Sequence, residues 1–357
     1  MLKINHCNAE CPCTFSKAYC MAARYRYVHG ISSSEIVKKF AFSSIFKYGE
    51  ELLTCFAKPK NESRLPQRKG ARIALEKLFS FMSSGLELTE SCLRKNIKGV
   101  PESDWSVVVA HHLLSKLAVS SFYLIDQSRG KQNRCPCQCG ESLTGTYGDS
   151  SIGSPEVWHG LLDILMSVSV KFMSFEDPDS LSGSGGHYIV RGKETDLKSI
   201  REQIIAQSIV FSFFQRKLHP EYVHHLIPSI GISKDMLVVY LYDCNNDILL
   251  ESSEMPYLTT QGALVKPTIV ALWLVLNYEF LCSGITKGMN DSGVKSNFTQ
   301  LVHEKLKLYD KVTVPCDSSC SGEEEQWTWG ARPENDEPAQ RFSDVNMLQP
   351  WKLSDSS

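Results

Sequence analysis

The chain has 357 residues, 42% of them hydrophobic and 22% charged, a composition that fits a folded globular protein and excludes a disordered chain. A formal charge of -2 at pH 7 and a pI near 6.6 exclude a global field that would draw the whole molecule onto nucleic acid or an anionic membrane. Any such contact has to be a local patch.

Residues 1–66 are expected to be loosely organised around one helix over 34–56, where Ile36, Val37, Phe40, Ile45, Phe46, Leu52 and Leu53 recur on one face and Ser34 can act as cap. Residues 1–30 mix His, Asn, Glu, Arg and Cys without the apolar core of a secretory leader, so an intracellular location is expected, nucleus and cytoplasm being indistinguishable. Lys58, Lys60, Arg64, Arg68, Lys69 and Arg72 form a local positive patch in and beside a polar linker. Few aromatics interleave it, so it reads first as solvated chain and second as a phosphate-contacting surface for nucleic acid.

A domain over 67–283 is expected next. The apolar periods predict helices over 67–83, 88–98 and 104–127, and a loop over 129–155 rich in Cys, Gly and Ser. Two apolar runs, 157–166 and 168–172, predict paired strands that would bring Asp163 and Lys171 within side-chain reach. A polar insertion over 175–193 precedes an amphipathic helix over 196–218. Strands over 226–232, 236–242 and 248–251 follow, the last two joined by a turn at Cys244, Asn245, Asn246 and Asp247. A buried helix over 267–282 closes the domain. It is too short, and too interrupted by Glu279, to span a membrane. The segment 284–357 reads as a polar, acidic tail, largely disordered, with one short helix over 297–309.

This order gives an α+β fold, with a mixed sheet flanked by helices. A crossover from the 168–172 strand through the 196–218 helix to the 226–232 strand would make parallel neighbours in that sheet.

The 13 cysteines read as thiols in a chain of this kind. Cys7, Cys11, Cys13 and Cys20 form one cluster, and Cys135, Cys137 and Cys139 another. Thiolates at four vertices can close a zinc site, but single-residue gaps make a strained chelate, so zinc is the lesser alternative. His111 and His112, like His224 and His225, are adjacent, and neighbours about 100° apart on a helix do not chelate through both rings.

Three short segments carry a resemblance. Gly160, Leu161, Leu162 and Asp163 are similar to a Gly-x-x-Asp motif, Val170 and Lys171 look like the end of an acid-x-Lys strand, and Gln207 to Phe211 is close to a Gln-x-x-x-Tyr helix motif. Together with the element order they resemble the PD-(D/E)XK nuclease superfamily, in its exonuclease-like branch, over roughly 67–245. The resemblance implies a restriction-endonuclease-like core and magnesium held by Asp163 and a second carboxylate, with Lys171 orienting water and Gln207 supporting as an amide. The second acid is replaced by Ser169. Glu176, Asp177 or Glu194 would have to stand in, Glu176 being the nearest in sequence. The resulting expectation is a catalytically degenerate nuclease-like module that binds protein or nucleic acid. The alternative is a magnesium-dependent nuclease cleaving DNA or RNA.

Overall fold

Leu226–Ile232 is buried at every position and Met236–Asp243 at every position after Met236, which requires a sheet covered on both faces. The computed structural model describes residues 1–24, 40–56, 66, 68–96, 102–130, 133–137, 139–166, 170–174 and 200–311. Expectations for the 175–193 insertion, for Ser169, Glu176, Asp177 and Glu194, for Lys58, Lys60 and Arg64, and for the tail from 312 onward lie outside the described residues.

In chain order the elements begin with β1 (Leu2–Cys7), β2 (Cys13–Thr14), β3 (Cys20–Arg24), α1 (Lys47–Phe56), α2 (Lys69–Ser80), α3 (Leu86–Asn96), α4 (Glu102–Val109) and α5 (Ser115–Leu117). They continue with β4 (Tyr123–Asp126), β5 (Thr146–Gly148), β6 (Ser151–Gly153), β7 (Trp158–Leu161), β8 (Ile164–Met166) and β9 (Val170–Ser174). Then come α6 (Arg201–Leu218), β10 (Leu226–Ile232), β11 (Met236–Asp243), β12 (Ile248–Glu251) and β13 (Met255–Pro256). Helices α7 (Lys266–Leu276), α8 (Tyr278–Leu281), α9 (Lys287–Asp291), α10 (Phe298–Leu301) and α11 (Leu306–Asp310) end the described chain.

The fold is mixed α+β. One sheet of 10 strands runs β3-β1-β12-β11-β10-β9-β8-β4-β5, with β13 paired to β11, and a second sheet of three runs β2-β7-β6. The expected crossover is present: β9 and β10 are parallel neighbours in the register Ser229 to Lys171, with α6 between them in sequence. Helix α6 lies directly on β10, since a Cβ placed on Gly231 would meet Ile204 Cδ1 at 2.6 Å. A larger residue there would have to displace the Ile204 methyl. The hairpin of β11 and β12 forms as expected, because Asp243 Oδ1 accepts the amides of both Asn245 and Asn246 and so shapes the turn.

Four sequence expectations are corrected. Residues 2–24 carry three strands rather than loose chain, and β1 joins the large sheet by pairing with β12 at Leu2 and Leu249. The first helix of the described residues is confined to Lys47–Phe56, after a short 3-10 turn. The helix expected over 104–127 stops at Leu117; Tyr123–Asp126 is strand β4, whose buried Tyr123 and Ile125 alternate with Leu124. The expected domain end at 283 is too early, because Phe298, Val302 and Tyr309 are buried in the same core.

The 157–166 run is also divided. Trp158–Leu161 belongs to the small sheet and Ile164–Met166 to the large one. Trp158 is drawn away by its indole hydrogen bond to Asn8 Oδ1 at 3.0 Å and by the Phe298 ring. Asp163 sits at the corner between the two sheets. Among the described residues no helix is long and apolar enough to cross a membrane.

Candidate metal centre

The centre begins with an irregular helix. Between α4 and α5 the segment Ala110–Leu114 is a π-helical turn, which inserts one residue into the helical ladder and changes the directions of its side chains. The loosened carbonyls are satisfied by hydroxyls: Thr89 Oγ1 donates to His112 O at 2.9 Å and Ser115 Oγ to His111 O at 2.7 Å. Both histidines are buried, with ring centroids 4.7 Å apart and planes at 75°. Adjacency does not keep them apart, since one ligand atom each of His111, His112 and Glu141 also lie within 4.8 Å of one another, yet their hydrogen bonds go to different partners. His111 Nε2 donates to Glu141 Oε2 at 3.1 Å, and its Nδ1 accepts from the Tyr123 hydroxyl at 3.2 Å. His112 points its Nε2 at sulfur.

The sulfurs come from a closed loop. An isolated antiparallel bridge joins Arg134 to Ser142, and amides of Cys135 and Leu143 donate to the carbonyls of Glu141 and Asn133, each at 3.0 Å. Gly140, at φ +76°, takes the left-handed conformation that turns the chain back. The loop thereby presents Cys135, Cys137 and Cys139 towards His112. The four donor atoms all lie within 4.8 Å of one another.

The separations are somewhat shorter than the edges of a zinc tetrahedron, so the donors would spread by a few tenths of an ångström around an ion. His112 Nε2 is 3.3 Å from Cys137 Sγ and 3.4 Å from Cys135 Sγ, while those two sulfurs are 3.2 Å apart. Ligands at about 2.3 Å (sulfur) and 2.0–2.1 Å (nitrogen) from zinc stand roughly 3.8 Å apart for two sulfurs and roughly 3.6 Å for a sulfur and a nitrogen. A fourth sulfur, Cys92 of α3, lies 3.7 Å from Cys137 Sγ.

Electrostatics favour a cation here. Burial and the neighbouring His111 push His112 down to about 4, so its imidazole is neutral and has a lone pair to offer at pH 7. Burial drives Cys135 well above the usual thiol range, and burial with the Cys137 sulfur pushes Cys92 up to about 12. Burial would also raise Cys137, but hydrogen bonds from Cys139, Cys135 and Cys92 outweigh it and hold that thiol below its ordinary value. The Cys139, Cys135 and Cys92 thiols thus donate to the Cys137 sulfur and ease its ionisation. A dication would displace those protons and neutralise the charge.

The sequence-expected residues distribute as follows. Cys135, Cys137 and Cys139 meet in the centre, whereas Cys7 and Cys20 face each other across β1 and β3 and Cys11 is exposed; among the described residues none of the N-terminal four joins a group of three ligand side chains. Gln207 is buried and donates to Leu161 O at 3.3 Å, which places it at the Asp163 corner. Lys171 is opposite Leu165 in the β8 and β9 register, two residues along from Asp163. Among the described residues Asp163 belongs to no group of three potential metal ligands. Arg68, Lys69 and Arg72 lie at the start of α2, where Arg72 pairs with Glu76 at 4.0 Å.

Sequence reasoning set His112 aside as half of an adjacent pair and missed Cys92 and Glu141. The only available signal was a histidine on a helix upstream of a Cys-x-Cys-x-Cys loop, with no fixed spacing to connect them. No protein-family model, curated protein or solved structure matches this chain.

Proposed function

We propose that the chain is a zinc-holding interaction module on a nuclease-like α+β core, without hydrolytic activity of its own. The observation that carries this reading is the convergence of His112, Cys135, Cys137 and Cys139 within 4.8 Å. Thiolate and imidazole donors select zinc among the common divalent ions, and magnesium, which takes oxygen ligands, does not suit this set. With four protein donors and no position left open, the ion's role is structural. It would bind the 133–143 loop to the helix carrying His112, and so fix the edge of the large sheet beside β4 and β5.

The surfaces so held would bind a protein partner or nucleic acid, with Arg68, Lys69 and Arg72 contributing positive charge at the start of α2. A second reading keeps the magnesium nuclease. It is supported by the approach of Gln207 to the Asp163 corner and by the parallel β9 and β10 pair. Metal analysis of the purified chain, together with cleavage assays on DNA and RNA in magnesium or manganese, separates the two. Stoichiometric zinc and no cleavage support the module; cleavage abolished by Asp163→Asn supports the nuclease.

A further inference from the structure

Tetrahedral zinc takes four donors, and a fifth stands beside the group that would supply them. His112, Cys135, Cys137 and Cys139 form the closed group. Cys92 stands outside it on α3, yet its Sγ touches Cys137 Sγ at 3.7 Å, close to the edge of about 3.8 Å that two zinc-bound thiolates require. The vertices also differ in cover. Cys135 and Cys137 are each 6% exposed, whereas Cys139 is open to solvent. The tip sulfur is therefore the one that reagents or partners can reach, and a half-buried replacement stands beside the buried vertex.

We propose that Cys92 is a reserve zinc ligand, taking the coordination position of Cys139 when that exposed thiolate is withdrawn. The inference rests on the zinc reading above. The exchange is thiolate for thiolate: the Cys92 sulfur–zinc bond forms as the Cys139 sulfur–zinc bond breaks, and the proton lost by Cys92 is balanced by one gained at Cys139. No oxidant or reductant is involved. One imidazole and three thiolates bind the ion before and after, so its net charge is unchanged. The chain can then free a surface thiol for modification or for a partner without losing its ion.

The test uses the full chain purified with zinc, beside Cys92→Ser, Cys139→Ser and the double variant. Each single variant is expected to retain about one zinc per chain after dialysis against a weak chelator, and the double variant to lose it. Cobalt substitution counts the ligands: Cys139→Ser should keep the sulfur-to-cobalt charge-transfer intensity of the parent chain. Loss of the ion from Cys139→Ser, or retention with that band reduced by about a third as expected when one of three thiolates goes, overturns the proposal. Alkylation gives a second reading free of folding defects. Iodoacetamide on Cys139 of the parent chain should leave zinc bound, and the same treatment of Cys92→Ser should eject it; equal retention or equal ejection in the two proteins overturns the reserve role. A parent chain that binds no zinc fails the underlying reading instead.

Discussion

The backbone amide of Asp126 donates to the carbonyl of Asp163 at 3.1 Å, continuing the pairing of β4 with β8 one step beyond Ile125 and Ile164. Two acids therefore stand on neighbouring segments, as a magnesium site would want. The Asp126 carboxylate, however, is engaged locally: Oδ1 accepts the Ser128 amide at 3.0 Å and Oδ2 the Ser128 hydroxyl at 2.7 Å. It caps a turn. Asp126→Ala should thus cost about 1 kcal/mol of stability in urea unfolding, the usual loss of a cap. No cleavage of DNA or RNA is expected from the parent chain in magnesium or manganese. Cleavage that disappears in Asp163→Asn would defeat the module reading.

The metal centre should be visible in stability. With free zinc at about 100 times its dissociation constant, the ion adds about 2.7 kcal/mol to the folded state. Denaturation with zinc and with a strong chelator should differ by that amount in the parent chain. His112→Ala and Cys137→Ser should each abolish the difference, because both remove donors from the closed group. A chain whose unfolding midpoint ignores the chelator would contradict the zinc reading.

Glu251 gives a pH prediction. Its side chain is 7% exposed, and Arg201 Nε donates to it at 2.6 Å, Arg24 Nε at 3.1 Å and the Tyr240 hydroxyl at 2.8 Å. Burial alone would raise its carboxyl, but the Arg201 hydrogen bond and charge, with Tyr240 and Arg24, bring it below the ordinary value of 4.5. A carboxyl depressed on folding stabilises fully above its unfolded value, and that contribution disappears as pH falls through the folded one. Glu251→Gln should cost about 3 kcal/mol at pH 7. Its stability should then fall less steeply than the parent chain's below about pH 4.3, the unfolded glutamate range. Parallel acid limbs would show that the pairing contributes nothing.

Much of the centre of the sheet was legible because its signals are local. The apolar runs of β10 to β12 and the turn residues Asp243 to Asp247 determine their own pairing. The edges were not, since β1 finds β12 across nearly the whole chain, at Leu2 and Leu249. Strand β4 was hidden because Leu113, Leu114, Leu117, Val119, Phe122 and Leu124 sustain a helical period across the break after Leu117. The metal centre was half legible. Three cysteines stand together in sequence, but His112 is 23 residues from Cys135 and reaches it only through the π-helical turn, which a regular period cannot reveal.

Tyr309 is fully buried, donates its hydroxyl to Ala9 O at 2.6 Å, and packs its ring 5.1 Å from Phe298 and 5.7 Å from Phe213 of α6. It therefore joins the end of the described chain to the β1–β2 connection and to the helix beneath the sheet. Tyr309→Phe keeps the ring and leaves a buried carbonyl without its donor, for about 1–3 kcal/mol. Tyr309→Ala also opens a cavity, which raises the cost to about 3–5 kcal/mol. A chain cut after Ser283, the boundary expected from sequence, removes Phe298, Val302 and Tyr309 together and should lose its cooperative unfolding transition. Retention of that transition by the cut chain would place the segment outside the folding unit.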